Sequence, residues 1–273
     1  MTFSCTLSQI HSEKQIARML KRIIFGKYVR CPDCGRGNHV QVLEKDRKWR
    51  CKKCRNKFSL ISSTWLKSSK LSLQAIVCLV WAWQKKLNVN QAQDLLDGQI
   101  SIVTIRRYYE LFRDNLPIQN DVILQGDVQM DEAFVKGAFI LGAKDVKHKK
   151  IKLKVIVQSN PNKYNAMEFI FQHVRPGSVL CTDGGAIYSG CQNWWNLTHK
   201  KEIHSRFEFT ITSEIEGIWG NLKTFIRRMY HHVTCEKLPK IVAEFEARFS
   251  EPEMFKSPFN YLSKSLSPVT SSF

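Results

Sequence analysis

The chain is short of acid. Its 273 residues hold 24 Asp and Glu against 42 Lys and Arg, a formal charge of +18. That balance excludes a preference for basic partners and points to a polyanion. The deficit is uneven. Residues 1–120 carry 22 basic against 8 acidic side chains, and residues 121–273 carry 20 against 16. A polyanion-binding module therefore belongs to the N-terminal part. Long apolar runs are also lacking: Ala75 to Trp83 is apolar, but a bilayer span needs about 20 such residues. No membrane partner is expected. Met1 to Ile10 lacks the charged start and apolar core of a secretory signal. Nor is there a secreted disulfide framework. Of nine cysteines, Cys31, Cys34, Cys51 and Cys54 form two CxxC pairs, while Cys5, Cys78, Cys181, Cys191 and Cys235 are scattered. The expectation is a protein that is not secreted, nuclear in a eukaryote or cytoplasmic at the nucleoid in a bacterium. Apolar content is 43%, ordinary for a globular protein, so cores can form.

What is present begins with those pairs. Their spacing, C-x2-C-x16-C-x2-C, is the four-cysteine zinc pattern. Each CxxC turn aims two thiolates at one tetrahedral ion, and Gly35 follows the first pair where the turn needs a positive φ. Asn38 to Leu43 and Lys48 to Arg50 alternate like short strands. This is a zinc ribbon with structural Zn2+, because four thiolates leave no open coordination position. Its basic surface includes Arg47, Arg50, Lys52 and Lys53, suited to phosphate contact.

Helical signals flank the ribbon. Ser12 to Ile24 reads as a helix with Ser12 and Gln15 as a capping box and Ile16, Met19, Leu20 and Ile23 as its apolar stripe. Leu73 to Lys86 reads as a buried helix. Asn90 caps a second, Gln91 to Leu96, which Asp97-Gly98 breaks. Ser101 or Thr104 starts a third that runs to Leu116, where Pro117 ends it. This order predicts a helix-turn-helix, with Thr104, Arg106 and Arg107 near the N-terminus of the reading helix.

After Pro117 strands begin. Asp127 to Val135 alternates like a strand, and Gly137 to Gly142 with Ile151 to Ser159 suggest a hairpin-like pair. Lys163 to His173 is a helix, and Ser178 to Thr182 a buried strand ending at Asp183-Gly184-Gly185. The predicted class is α/β, with a mixed sheet and flanking helices. A final long helix spans Glu214 to Tyr230, buried through Ile215, Ile218, Trp219, Leu222, Phe225, Ile226 and Met229.

Three acids stand out. Asp131 ends a short alternating run, with Glu132 in a supporting or merely exposed role. Asp183 lies at a strand's C-terminal edge, where α/β sheets bind ligands, though an Asp there can equally cap a helix. Glu216 lies beside the apolar stripe of its helix, yet Ser213-x-x-Glu216 also spells a capping box. Two aspartates and a glutamate are hard oxygen ligands for Mg2+ or Mn2+. A pair of such ions can drive in-line displacement at a phosphodiester without a nucleophilic side chain.

The stretches CPDCG, WRCKKCRNKFS, STW, MDEAFVKG, CTDGGAIY, IHSRFEF, SEIEGIWGNLKTFIRRMYHHV and EFEARF, in this order, resemble the insertion-sequence transposases with the ISXO2-like transposase domain. These are related to eukaryotic Merlin elements. The resemblance covers about residues 12–260. It implies a zinc ribbon, a helix-turn-helix and an RNase H-like catalytic domain. It also implies Asp131, Asp183 and Glu216 as catalytic ligands of Mg2+ or Mn2+. Relatives often carry Asn where Ser213 stands, and some use that position as the third ligand. His204, Lys223, Tyr230 and His231 match family positions around the site or the DNA backbone, and Arg227 follows on Lys223's side of the helix.

The resulting domain reading is an N-terminal helix (1–27), a zinc ribbon (28–60), a helix-turn-helix (70–118), an RNase H-like domain (122–250) and a C-terminal tail (251–273). The expected function is a DNA transposase that binds terminal inverted repeats, hydrolyses a strand and joins its 3′-hydroxyl to target DNA, as a homo-oligomer on DNA. Two alternatives stay open: a domesticated, catalytically silent DNA-binding protein, and a nuclease on the same fold.

Overall fold

Ser12 opens the first helix, α1 (Glu13–Phe25). Its hydroxyl accepts the Gln15 amide, and the Gln15 side chain accepts the Ser12 amide at 2.8 Å. Ile16, Leu20 and Ile24 are its buried stripe. The computed structural model describes residues 11–43, 48–117, 123–156, 160–201, 212–230 and 232–266. The chain forms two units, one of residues 1–117 with 253–273 and one of residues 118–252.

In the first unit, β1 (Val40–Leu43) pairs antiparallel with β2 (Lys48–Cys51), and β2 with β3 (Lys57–Phe58). Trp49 stacks on Phe58 at 5.9 Å and meets Phe25 of α1 edge-on at 5.8 Å. Three helices follow: α2 (Leu73–Gln84), α3 (Val89–Leu95) and α4 (Ile102–Asp114). Asn88, not Asn90, caps α3. Its side chain accepts the amides of Asn90 and Gln91, and Gln91 answers with its own side chain, a reciprocal box that Asn90 could not make. Ser101 caps α4.

α2 is buried on nearly every side because aromatic residues surround it. The Trp83 ring lies 5.6 Å from Phe112, 5.3 Å from Phe255 and 5.1 Å from Tyr261. The segment expected as a tail therefore includes packed structure. It contains a short 3-10 turn, Pro252–Phe255, and α9 (Pro258–Ser265). Gln84 Nε2 donates to the carbonyls of Met254 and Ser257 at 2.9 Å each, and Tyr261 Oη donates to Phe112 O at 2.9 Å.

The second unit is built on a five-stranded sheet in the order β6-β5-β4-β7-β8. Its strands are β4 (Asp127–Val135), β5 (Ala138–Asp145), β6 (Lys150–Ile156), β7 (Val179–Thr182) and β8 (Thr198–Lys201). β4, β5 and β6 are antiparallel neighbours, while β7 runs parallel to β4 and β8 parallel to β7. Lys136 (φ 51°) and Gly137 (φ 84°) close the β4–β5 hairpin in two residues, the positive-φ turn that suits strand twist.

Side chains alternate across β4. Val128 and Met130 join Leu141, Phe169, Ile170, Leu180 and Tyr188 in one core, on the face that carries α5 (Lys163–His173) and the 3-10 turn Ala186–Tyr188. Gln129 and Asp131 point to the other face, which carries α7 (Ser213–Met229). A short helix, α6 (Cys191–Trp194), precedes β8. α7 is not the last helix of this unit: α8 (Leu238–Ser250) packs on β6, where Glu246 accepts Lys152 Nζ and the Leu153 amide, each at 2.8 Å. Its buried face includes Glu244 and Glu246, so polar residues interrupt the apolar period that would have marked it.

Candidate functional site

The four cysteines meet. Cys31 Sγ lies 3.4 Å from Cys54 Sγ and Cys34 Sγ 3.6 Å from Cys51 Sγ, with all four sulfurs within 4.8 Å of one another. A tetrahedral zinc with Zn–S bonds of about 2.3 Å has S···S edges of about 3.8 Å, so the cluster fits the ion. The two turns are alike. The Cys31 amide donates to Arg36 O and the Cys51 amide to Asn56 O, with positive φ at Gly35 and at Arg55. Burial pushes the Cys31 thiol up to about 12, whereas the amides of Cys54 and Lys53 hold Cys51 down at about 7. Binding of a metal there must displace protons. Arg50, Lys52 and Lys53 are exposed on this ribbon.

The acids lie in the second unit. In the parallel pairing of β4 with β7, Val128 faces Leu180 and Gln129 faces Cys181. Extended two residues beyond the last paired position, that register leads to Asp131 and Asp183. Asp183 stands just past the C-terminal end of β7, where its Oδ1 accepts the Gly185 amide at 2.9 Å. Burial raises the Asp131 pKa, and the negative charges of Asp183 and Glu216 raise it further; the Trp219 indole N–H, donating to Asp131 Oδ2 at 2.8 Å, opposes them. Asp131 is thus within electrostatic reach of both other carboxylates. The oxygens of the three do not close to 4.8 Å, since among the described residues only the cysteines form such a group. None of the three enters a described ion pair. Carboxylates are the hard oxygen donors that divalent metal takes, and two ions need not share all three ligands.

Glu132 points to the opposite face of β4. It is half-buried, accepts the Tyr188 hydroxyl at 2.6 Å, and has its pKa raised by burial and then by Asp183 and Asp131. It is not the exposed residue that one reading of the sequence allowed.

Glu216 is not part of a capping box. Thr212 is the N-cap of α7, which places Ser213 inside the helix, and the Glu216 amide donates to Thr212 O at 3.2 Å. The helix start is held instead by Gln129, whose Oε1 accepts the amides of Glu214 and Ile215 at 3.0 Å each. Glu216 itself is exposed. Further along α7, Lys223 and Arg227 are exposed and, with Phe134, Val135, Lys136 and Thr224, line a cavity of about 360 Å³.

Other predicted positions have different roles. Arg106 and Arg107 are exposed on α4, while Thr104 is half-buried and its hydroxyl meets Ser101 Oγ at 3.0 Å. Tyr230 donates to buried Glu244 at 2.6 Å and so braces α7 against α8. His204 and His231 lie outside the described residues. Residue-by-residue reading missed Gln129 and the donor role of Trp219. One signal for Gln129 was present: strand alternation puts it on the face of Asp131.

The strand order 3-2-1-4-5, antiparallel in its first three strands and parallel in the rest, defines an RNase H-like domain, and the chain joins it to a four-cysteine ribbon. Residues 138–250 match the ISXO2-like transposase domain and residues 11–57 the transposase zinc-ribbon domain. The first match contains Asp183 and Glu216; Asp131 lies seven residues before it. Among solved structures, the chain is similar to the catalytic core domain of BIV integrase, with 15% identity and a TM-score of 0.33 over 44% of this chain and 80% of that one. No curated protein matches the chain.

Proposed function

We propose that the protein is a DNA transposase whose Asp131, Asp183 and Glu216 hold two divalent ions, Mg2+ or Mn2+. The observation that supports this reading is the register of β4 against β7, which pairs Gln129 with Cys181 and, extended by two residues, leads to Asp131 and Asp183, on the face where Gln129 anchors the helix bearing Glu216. Bound there, the ions supply activation of a water or a 3′-hydroxyl and stabilisation of the leaving oxygen. The chain's own part is to fix the carboxylates on a strand, a strand end and a helix, and to hold the DNA strand against them. Lys223 and Arg227 lie two and three turns beyond Glu216, about 10 and 16 Å along the helix, where they would take successive phosphates of one strand.

The N-terminal unit delivers the DNA in this reading. The ribbon's Arg50, Lys52 and Lys53 contact phosphates, and α3 with α4 acts as a helix-turn-helix whose Arg106 and Arg107 approach the terminal inverted repeats. The chain would act as a homo-oligomer on DNA, one copy at each element end. The test is incubation of the zinc-loaded protein with duplexes copied from the flanks of its gene, in Mg2+ or Mn2+. Nicking at the repeat end followed by joined product is expected, with both lost in Asp183→Asn. Nicking that never yields joined product would favour a nuclease on this fold.

A further inference from the structure

Asp131 and Gly142 are paired residues of β4 and β5. A Cβ on Gly142 would stand on the α7 face beside Asp131, and there is no room for one. It would lie 2.3 Å from Cη2 and 2.8 Å from Cζ2 of Trp219, and 2.8 Å from Leu153 Cδ2. The backbone at Gly142 is not in the positive-φ region, so glycine is required by the ring and not by the turn of the chain. The indole lies on the bare backbone of β5, only 5% exposed, with Nε1 donating to Asp131 Oδ2 at 2.8 Å. Trp219 is also one turn beyond Glu216 on α7. A single side chain thus links the strand bearing the first acid to the helix bearing the third.

We infer that Gly142 and Trp219 form a positioning pair that fixes the Asp131 carboxylate and its separation from Glu216, and so sets the divalent-metal affinity of the site. This rests on the reading of those acids as metal ligands. A carboxylate on a strand turns about two side-chain bonds; a bond from a buried ring that lies against the bare backbone of Gly142 holds it to one orientation. Outer-shell donors of this kind change metal affinity when removed, by about 10–100-fold.

The experiment uses the full zinc-loaded chain with Mn2+ as probe, following free Mn2+ by electron paramagnetic resonance beside thermal melts and cleavage kinetics. Trp219→Phe keeps an apolar ring but loses the N–H. It should melt cooperatively, bind Mn2+ about tenfold more weakly, and lose kcat with the KM for DNA little changed. Gly142→Ala should lose both stability and Mn2+ affinity. The double variant, whose smaller ring lacks the two clashing indole atoms and leaves only the flexible Leu153 Cδ2 to shift, should regain much of the melt but not the affinity. Asp131→Asn serves as the reference for the site. If it loses Mn2+ while Trp219→Phe binds like the parent, or if the double variant regains full affinity, the positioning role is overturned and the metal reading stands. If Asp131→Asn binds Mn2+ like the parent, both are overturned.

Discussion

Gln129 Oε1 accepts the Ile215 amide at 3.0 Å, and the Glu214 amide at the same distance. A strand side chain thereby does the work of an N-cap for α7, and the capping-box sequence Ser213-x-x-Glu216 is left without that function. Gln129→Ala should cost about 1 kcal/mol for the lost cap, with a further penalty for the unpaired buried amides. Urea denaturation would read the loss. A midpoint equal to the parent's would show that the helix start is held by something else.

Zinc should be tied to the ribbon alone. One equivalent is expected per chain, and Cys51→Ser should release it. Trp49 is the reporter, since it packs between Phe25 and Phe58 only when the three strands are formed. Chelation should shift its fluorescence to that of an exposed indole. Acidification should do the same, because protons compete for the thiolates. Retention of zinc by Cys51→Ser would contradict the four-sulfur site.

A pH dependence unrelated to metal is expected from His173. Burial, aided by the charges of Lys152 and Lys154, lowers its pKa from 6.5 to about 4, and its buried Nδ1 has no hydrogen-bond partner among the described residues. The folded state therefore resists protonation that the unfolded chain accepts. This contribution is at its full level above pH 6.5, falls as pH drops through 6.5, and levels off near 4. His173→Phe, which keeps the ring beside Phe169, should flatten the stability profile in that window. An unchanged slope would assign the dependence to other groups.

Removing one partner of the buried Tyr230–Glu244–Arg248 cluster should be costly. Glu244 is fully buried, with Arg248 Nε at 2.9 Å, Arg248 Nη2 at 2.8 Å and the Tyr230 hydroxyl at 2.6 Å. Glu244→Ala removes the buried carboxylate that both the guanidinium and the Tyr230 hydroxyl address, a loss of about 3–5 kcal/mol. Denaturation that shows less than 1 kcal/mol would mean that water reaches the cluster.

Much of this was legible because local chemistry and tertiary structure agree. Asp127 to Val135 alternates and is the observed β4 residue for residue; the two CxxC pairs and the Ser12–Gln15 box are equally explicit. The misses have physical causes. Glu244 and Glu246 sit on the buried face of α8 and break its apolar period. Thr198–Lys201 is a strand with no apolar residue, held by its parallel pairing with β7. The pairing of Gly142 with Asp131 under Trp219 depends on strand register and helix docking, which no spacing along the chain reveals. The same is true of Gln129 as the cap of α7.

If Asp131, Asp183 and Glu216 carry the chemistry, strand transfer should depend on each of them. It is measured with Asp131→Asn in Mn2+, on a pre-nicked element end that needs no hydrolysis. Joined product should fall by at least about a thousandfold while the protein stays folded and still binds the DNA. Joining at the parent's rate would contradict that dependence.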